Sequence, residues 1–187
     1  MKRILSILLA AAFVAVVSPD ANAKKEKDPC RSVKESKDAF TNEVAKIANL
    51  YINGGDGNWN FVLEKVGEKY FIGVNIRIYS LNQAPISAGE KIIIKLQNEK
   101  LIELELDKDC MPTFTLGPST TWSTKTEVDI KMIKRLSRSL ISAAKVNIQG
   151  KDIKLLTNPD KPRAMEAIMD AAACIVGELP ESESNSK

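Results

Sequence analysis

Residues 59–78 read WNFVLEKVGEKYFIGVNIRI, and this stretch decides the fold. A two-residue turn at Gly67-Glu68 brings apolar side chains opposite apolar side chains on the two flanking segments. The resulting cross-strand pairs are Leu63–Ile72, Phe61–Val74 and Trp59–Ile76. The second segment alternates, with Tyr70, Ile72, Val74, Ile76 and Ile78 on one side and Lys69, Asn75 and Arg77 on the other. This pattern predicts a β-hairpin with one face in the core.

The same test predicts two further hairpins. A three-residue loop at Asn98-Glu99-Lys100 aligns apolar faces and leaves charged pairs on the solvent side. Its predicted pairs are Ile92–Leu106, Ile94–Leu104, Leu96–Ile102, Lys95–Glu103 and Lys91–Asp107. A turn at Gly150-Lys151 predicts the pairs Ile148–Ile153 and Val146–Leu155.

Two helices are predicted in the second half of the chain. The first begins after Asp129, a favourable N-cap residue, and ends near Ser139. The second covers about Lys161 to Val176, with Pro162 in its first turn, where a missing N–H costs little. Together with the hairpins, these helices predict a single α+β domain: a largely antiparallel β-meander sheet with two helices, the last packed on the sheet.

Two segments are harder to interpret. Between residues 39 and 52 the apolar spacing suits a helix, yet Val44 to Ile52 also suits a strand, which we favour. Asn53 to Asn58 forms a turn, since glycine permits positive φ there. Cys110 to Thr126 is rich in Pro, Ser and Thr, which predicts a connection with a short strand near Trp122.

The first 23 residues have the three parts of a cleavable secretory signal. Lys2 and Arg3 give a charged start, an apolar run covers Ile4 to Val17, and Ala21-Asn22-Ala23 is a small-residue cleavage site. The apolar run is shorter than the about 20 residues that span a bilayer. We therefore expect cleavage after Ala23 and a periplasmic or secreted protein without a membrane span.

The remaining chain divides by composition. Residues 24–38 are charged and lack apolar periodicity, which predicts an extended, mostly exposed segment. Residues 39–179 predict the globular domain, and the polar residues 180–187 predict a disordered tail.

Three cysteines in an oxidising compartment predict one disulfide and one free thiol. Cys174 falls on the last helix, away from the apolar stripe and beside Ala167 and Ala171, which are small enough for another segment to lie across them. This favours a bridge to Cys30, with Cys110–Cys174 as the alternative.

Charge and composition exclude several classes of function. The formal net charge of +3 over 187 residues gives no basis for nucleic-acid binding. The chain contains no histidine, which removes Ser-His and Cys-His nucleophile pairs and histidine-ligated zinc. Enzymes that use carboxylates remain possible. We expect a protein without a cofactor, and not an enzyme.

The order of features resembles a group of small exported bacterial domains to which no activity is attached. Its features here are Cys30, the segment Asp38-Ala39-Phe40-Thr41, the strands from Trp59 to Asp107, the helix after Asp129, and Cys174 within Ala171–Ile175. The resemblance implies this fold, a Cys30–Cys174 bridge, and a strand rather than a helix at Val44 to Ile52. It implies no site.

A basic stripe is the first candidate binding surface. Lys131, Lys134, Arg135 and Arg138 have the spacing that puts four positive charges on one helix face. An acidic protein or an envelope polyanion could dock there. The same residues also form the solvated side of an amphipathic helix, an interpretation that needs no ligand.

Trp122 is the second candidate, because its polar neighbours suggest an exposed indole. Trp59 is expected in the core. Asp56 is the only carboxylate in Asn53 to Asn58, too few for a typical Ca²⁺ loop.

Glu103, Glu105 and Asp107 share one strand face, where cross-strand pairing with Lys91 and Lys95 is favoured over a carboxylate active site.

Together, the features of the whole sequence favour a non-enzymatic exported module that binds a protein or an envelope component. The alternatives are an inhibitor of a secreted enzyme, presenting a rigid loop such as Leu116–Thr124, and a carboxylate-dependent hydrolase or lyase.

Overall fold

The computed structural model describes residues 28–37, 42–82, 84–115 and 118–178. Residues 1–27, which include the predicted signal, residues 38–41 and the predicted tail from residue 180 lie outside them. The described residues form ten strands and two helices: β1 Val33–Lys37, β2 Val44–Gly54, β3 Gly57–Val66, β4 Lys69–Ile78, β5 Lys91–Leu96, β6 Leu101–Glu105, β7 Thr113–Thr115, β8 Ser119–Val128, α1 Ile130–Leu136, β9 Ile141–Ile148, β10 Lys151–Leu156 and α2 Arg163–Val176.

The strands form two antiparallel sheets, and the predicted α+β class is confirmed. One sheet has the strand order β1-β2-β3-β4-β8-β7 and the other the order β10-β9-β5-β6. Helix α2 packs against β1, β2, β3 and α1. The inner faces of both sheets and the helices contribute to one apolar core.

The first predicted hairpin has the predicted register. β3 and β4 pair Leu63 with Ile72 and Phe61 with Val74 around the turn that begins at Gly67. The favoured strand at Val44 to Ile52 is also confirmed, as part of β2.

The predicted register of the second hairpin is wrong by two positions. Its loop has three residues, but these are Gln97 to Glu99, because the Leu96 N–H donates to the Lys100 carbonyl at 3.0 Å. Glu99 has φ 64°, the left-handed conformation that the last residue of such a loop adopts. The observed pairs are therefore Ile92–Leu104, Ile94–Ile102, Lys95–Leu101 and Lys91–Glu105. Apolar faces still coincide, since a two-position shift preserves the face.

The third hairpin shows the same kind of error. Its turn is Gln149-Gly150 rather than Gly150-Lys151, with φ of 50° and 80°. Two positive φ values define a type I′ turn, which favours glycine at the second position, so Gly150 belongs there. The observed pairs are Ile148–Lys151, Val146–Ile153 and Ala144–Leu155.

Both predicted helices are present. The Asp129 side chain caps α1 by accepting from the Lys131 N–H at 2.7 Å. The helix ends at Leu136, earlier than predicted, where the Ser137 hydroxyl donates to the Lys134 carbonyl. Helix α2 ends before Gly177, whose φ of 74° allows a glycine-terminated cap.

The favoured disulfide is confirmed. Cys30 and Cys174 are bonded with a Cα–Cα distance of 5.4 Å, and Cys110 is free. The alternative Cys110–Cys174 bridge is therefore excluded. The segment after Cys30 is extended and mostly exposed, and its residues Val33–Lys37 form the edge strand β1.

Residues 119–128 differ most from expectation. In place of a connection with a short strand, they form the ten-residue strand β8, which pairs with β4 along its length. Alternating side chains, including Trp122 and Val128, are buried. Threonine is well suited to a strand because its branched side chain packs on a pleated surface.

Candidate functional site

The basic helix face is partly occupied by contacts within the chain. Lys134 and Arg138 bind the two carboxylate oxygens of Glu178 at 2.8 and 3.1 Å. The Arg135 guanidinium donates to the Leu101 carbonyl at 3.3 Å, and Lys131 is exposed. The hydrogen bond from Lys134, and then that from Arg138, lower the pKa of Glu178. This face therefore anchors the end of α2, and its binding of a partner stays a prediction.

Trp122 is not the exposed binding residue that its polar neighbours suggested. It is completely buried, and its indole Nε1 donates to the Ala84 carbonyl at 2.9 Å. Its serine and threonine neighbours belong to a strand, so alternation turns the indole inward. Trp59 is also completely buried, as expected.

The Asn53 to Asn58 turn has a structural role. Asp56 accepts a hydrogen bond from the Lys154 N–H at 2.9 Å, and its own N–H donates to the Lys154 carbonyl at 2.8 Å. The turn thus docks on β10 and joins the two sheets. The close approach requires glycine: a Cβ at Gly55 would lie 2.2 Å from the Lys154 carbonyl oxygen.

The carboxylates on β6 make a surface ion pair. Glu103 binds Lys91 at 2.8 Å, a diagonal partner, and this hydrogen bond raises the pKa of Lys91. Lys95 binds Glu99 instead of the predicted Glu103.

Cys110 is half-buried, and burial raises the pKa of its thiol, which donates to the Ser123 carbonyl at 3.3 Å. A raised pKa makes this thiol less nucleophilic at neutral pH.

A different surface brings more polar groups together. On the outer face of the six-stranded sheet, β2, β3, β4 and β8 lie side by side, and their register forms two rows. One row is Tyr51, Asn60, Asn75 and Ser123, and the next is Asn53, Asn58, Arg77 and Thr121. We call these eight residues the polar platform. They line a shallow depression of about 340 Å³.

Sheet geometry sets the size of the polar platform. Three inter-strand spacings of about 4.8 Å give a width of about 14 Å, and residues two apart on a strand separate the rows by about 7 Å. The site is therefore an elongated strip across the sheet. It suits a ligand longer than one small ring.

One end of the platform is held rigidly. The Arg77 guanidinium donates from Nε and one terminal nitrogen to the Ser119 hydroxyl at 3.2 and 3.1 Å. It also lies 5.7 Å from the ring centre of Tyr79, whose hydroxyl accepts from Asn58 Nδ2 at 2.8 Å. Two contacts therefore orient the Tyr79 ring, which is 67% exposed.

Asn60 is the unusual member of the platform. Its side chain is only 8% exposed, and its carbonyl Oδ1 is buried with no hydrogen-bond partner among the described residues. An unpaired buried polar atom costs about 1–3 kcal/mol. The last torsion of asparagine is broad, so the amide can rotate to place its oxygen toward the depression. A ligand that supplies a donor there would recover this free energy.

Sequence reasoning missed this site for an identifiable reason. The first hairpin register already placed Asn75 and Arg77 on the solvent side. That register also aligns Asn60 with Asn75, and extending the pairing to the preceding strand β2 would have aligned Tyr51 with Asn60. The signal was polar residues two apart on adjacent strands, and it became complete only when Ser119–Val128 was recognised as a strand.

Neither described helix has both the length and the apolar character needed to cross a membrane. Comparisons of the chain with protein-family models, with curated proteins and with solved structures found no match. The function must therefore be inferred from the polar platform itself.

Proposed function

We propose that this chain is an exported, non-enzymatic binding module whose ligand lies on the polar platform. The observation that carries the proposal is the Asn60 carbonyl, buried beside the depression without a partner among the described residues. Buried polar groups in folded proteins are nearly always paired, so an unpaired one in a surface depression suggests that a ligand completes it.

The chemistry of the platform favours binding over catalysis. Its eight residues offer amides, hydroxyls and one guanidinium, and no carboxylate or thiol is among them. These groups donate and accept hydrogen bonds, but amides do not exchange protons at physiological pH. A carboxylate-dependent hydrolase would need Glu103 and its neighbours, and Glu103 is paired with Lys91 on a surface strand.

Two observations support export. The Cys30–Cys174 disulfide is typical of proteins that fold in an oxidising compartment, and the first 23 residues have the pattern of a secretory signal. The resemblance to small exported bacterial domains points the same way. The proposed location is the periplasm or the extracellular medium, with an envelope component or secreted molecule as ligand.

The other candidate surfaces have less support. Glu178 already engages two residues of the basic helix face. The part of the suggested inhibitory loop from Ser119 to Thr124 lies within β8, so it does not project from the domain.

The test is capture of envelope material by the full chain, expressed with its own signal and purified after export with the disulfide intact. Soluble glycan and protein fractions are passed over immobilised wild-type protein and over Asn75→Ala. The expected result is several-fold less retained material with Asn75→Ala, because one row of the platform loses one of its two amides.

Asn147→Ala is the matched control. Asn147 is also half-buried, but it lies on β9 in the other sheet. Its retention should equal that of the wild type, and thermal unfolding should show all three proteins folded. Equal retention by wild-type protein and Asn75→Ala in every fraction would mean that the platform is not the binding site.

A further inference from the structure

We propose, building on the proposed function, that the ligand of the polar platform is a neutral oligosaccharide. Four features of the platform favour such a ligand: its hydrogen-bonding groups, the flanking aromatic rings, its charge and its position within the sheet.

The hydrogen-bonding groups match those of a sugar. Each asparagine amide carries a donor and an acceptor on adjacent atoms, so it can bond simultaneously to two neighbouring hydroxyls of a sugar ring. The platform has four such amides, at Asn53, Asn58, Asn60 and Asn75, with the hydroxyls of Thr121 and Ser123 on β8. The Oδ1 of Asn60 needs a donor, which a sugar hydroxyl supplies.

Exposed aromatic rings lie at the platform. Tyr51, in the same row as Asn60, is 69% exposed, and Tyr79, two residues after Arg77 and just past the end of β4, is 67% exposed. A sugar ring has an apolar C–H face, and an aromatic side chain offers a flat apolar surface with a polar tip. Because Asn58 and Arg77 already orient Tyr79, little conformational entropy is lost when a ligand packs on it.

The charge of the platform favours a neutral ligand. Arg77 is the only charged residue among the eight, and the Ser119 hydroxyl already accepts two of its hydrogen bonds. Recognition of a polyanion depends on several lysines or arginines that neutralise successive negative groups. A single occupied guanidinium can contribute a hydrogen bond to a hydroxyl but does not form such a track.

The position of the platform argues against an extended peptide. Peptides that bind sheets usually add a strand at an exposed edge, where backbone groups are unpaired. The platform instead lies on the outward side chains of four neighbouring strands, and its central strands β3 and β4 are paired on both sides at Asn58, Asn60, Asn75 and Arg77. Its width of about 14 Å lets it contact more than one ring of a linear saccharide.

The experiment measures affinity by titration calorimetry with the exported full chain. The neutral probes are soluble oligosaccharides from chitin, cellulose and starch, and the competing probes are a heparin fragment and a library of extended peptides. At least one neutral probe should bind. Tyr51→Ala should weaken it about 5- to 10-fold and Asn75→Ala about 5-fold, while Asn147→Ala leaves the affinity unchanged.

The outcomes separate this inference from the proposed function. Binding of only heparin or a peptide, weakened by Asn75→Ala, would overturn the oligosaccharide and retain the platform as a binding site. A neutral saccharide that binds equally to wild-type protein, Tyr51→Ala and Asn75→Ala would overturn the inference, as would the absence of binding by every neutral probe. If wild-type protein and Asn75→Ala also retained equal amounts of envelope material in the capture experiment, the proposed function would be wrong as well.

Discussion

Removing the Cys30–Cys174 bridge should strongly destabilise the domain, because the bridge closes nearly all of it. The two cysteines are 144 residues apart. We consider the double replacement Cys30→Ala and Cys174→Ala, which leaves no unpaired thiol at this site. The replacement releases the unfolded chain from a long closed loop and removes little from the folded state.

The magnitude follows from loop closure. In the chain-entropy model, a loop of this length restricts the unfolded state by about 5 kcal/mol at 25 °C. Domains of this size have a free energy of unfolding of about 5–15 kcal/mol, so the loss is a large fraction of the total. At about 2 kcal/mol per molar urea, the unfolding midpoint should fall by about 2–3 M.

Intrinsic fluorescence gives a suitable assay. Trp59 and Trp122 are completely buried in the folded protein, so their emission should shift to longer wavelength when urea exposes them. Cys110→Ala is the control, since Cys110 is not bridged, and its midpoint should change much less. A loss below about 1 kcal/mol in the double variant, or an equal loss in the control, would refute the loop-closure argument.

Three further predictions test packing, backbone and thiol chemistry. Trp122→Phe should destabilise the domain by about 1–3 kcal/mol more than Trp59→Phe in urea titrations, and equal losses would contradict this. Both indoles are buried, but among the described residues only the Trp122 indole has a hydrogen-bond partner. Gly55→Ala should lower the thermal midpoint more than Gly67→Ala. Both glycines have positive φ, but only at Gly55 would a Cβ meet a carbonyl oxygen, at 2.2 Å. A larger decrease for Gly67→Ala would show that this clash does not determine the loss. Burial raises the pKa of Cys110, so iodoacetamide should modify this thiol at pH 8 more slowly than it modifies an exposed cysteine in a peptide. The rate should increase as the pH is raised above 8, and a rate equal to that of the peptide at pH 8 would argue against burial.

Sequence patterns predicted elements and faces well, because both depend on alternation within a short segment. The predicted pairs Leu63–Ile72 and Phe61–Val74 were correct. The register that places apolar residues opposite each other on the two strands is also the register that a two-residue turn beginning at Gly67 produces. The Cys30–Cys174 bridge was favoured because helical spacing placed Cys174 away from the apolar stripe. In each case the deciding pattern lay within a single hairpin or a single helix, although the bridge itself joins residues 144 apart.

The register errors arose because an alternating pattern is equally consistent with two hairpin registers. A hairpin register shifted by two residues keeps every side chain on the same face, so apolar matching cannot detect it. Backbone conformation decides instead: Glu99 takes the left-handed position in one loop, and Gln149 and Gly150 take two such positions in the other. Positive φ at Glu99 and Gln149 is difficult to predict, because neither residue type favours it.

The division into two sheets and the polar platform could not be read from local patterns. The platform forms only when the chain, after β5 and β6 of the other sheet, pairs β8 with β4 and brings Thr121 and Ser123 beside Arg77 and Asn75. These pairs join segments more than 40 residues apart. No spacing within one segment encodes such a pairing, and the polar composition of Cys110 to Thr126 concealed the strand.

The asparagines of the platform have a low propensity for the β-strands in which they lie. Asn60 and Asn75 face each other on the two central strands β3 and β4, although asparagine is among the residues least suited to strands. Threonine or valine would pack there better, and would leave no buried carbonyl unpaired. Asn58 has a structural task, since it holds the Tyr79 hydroxyl, but the structure gives Asn60 no such task among the described residues. Residues that conflict with their local environment without an internal compensation are expected at functional sites. The cost at Asn60 is therefore itself an argument that the outer face of this sheet is used for binding.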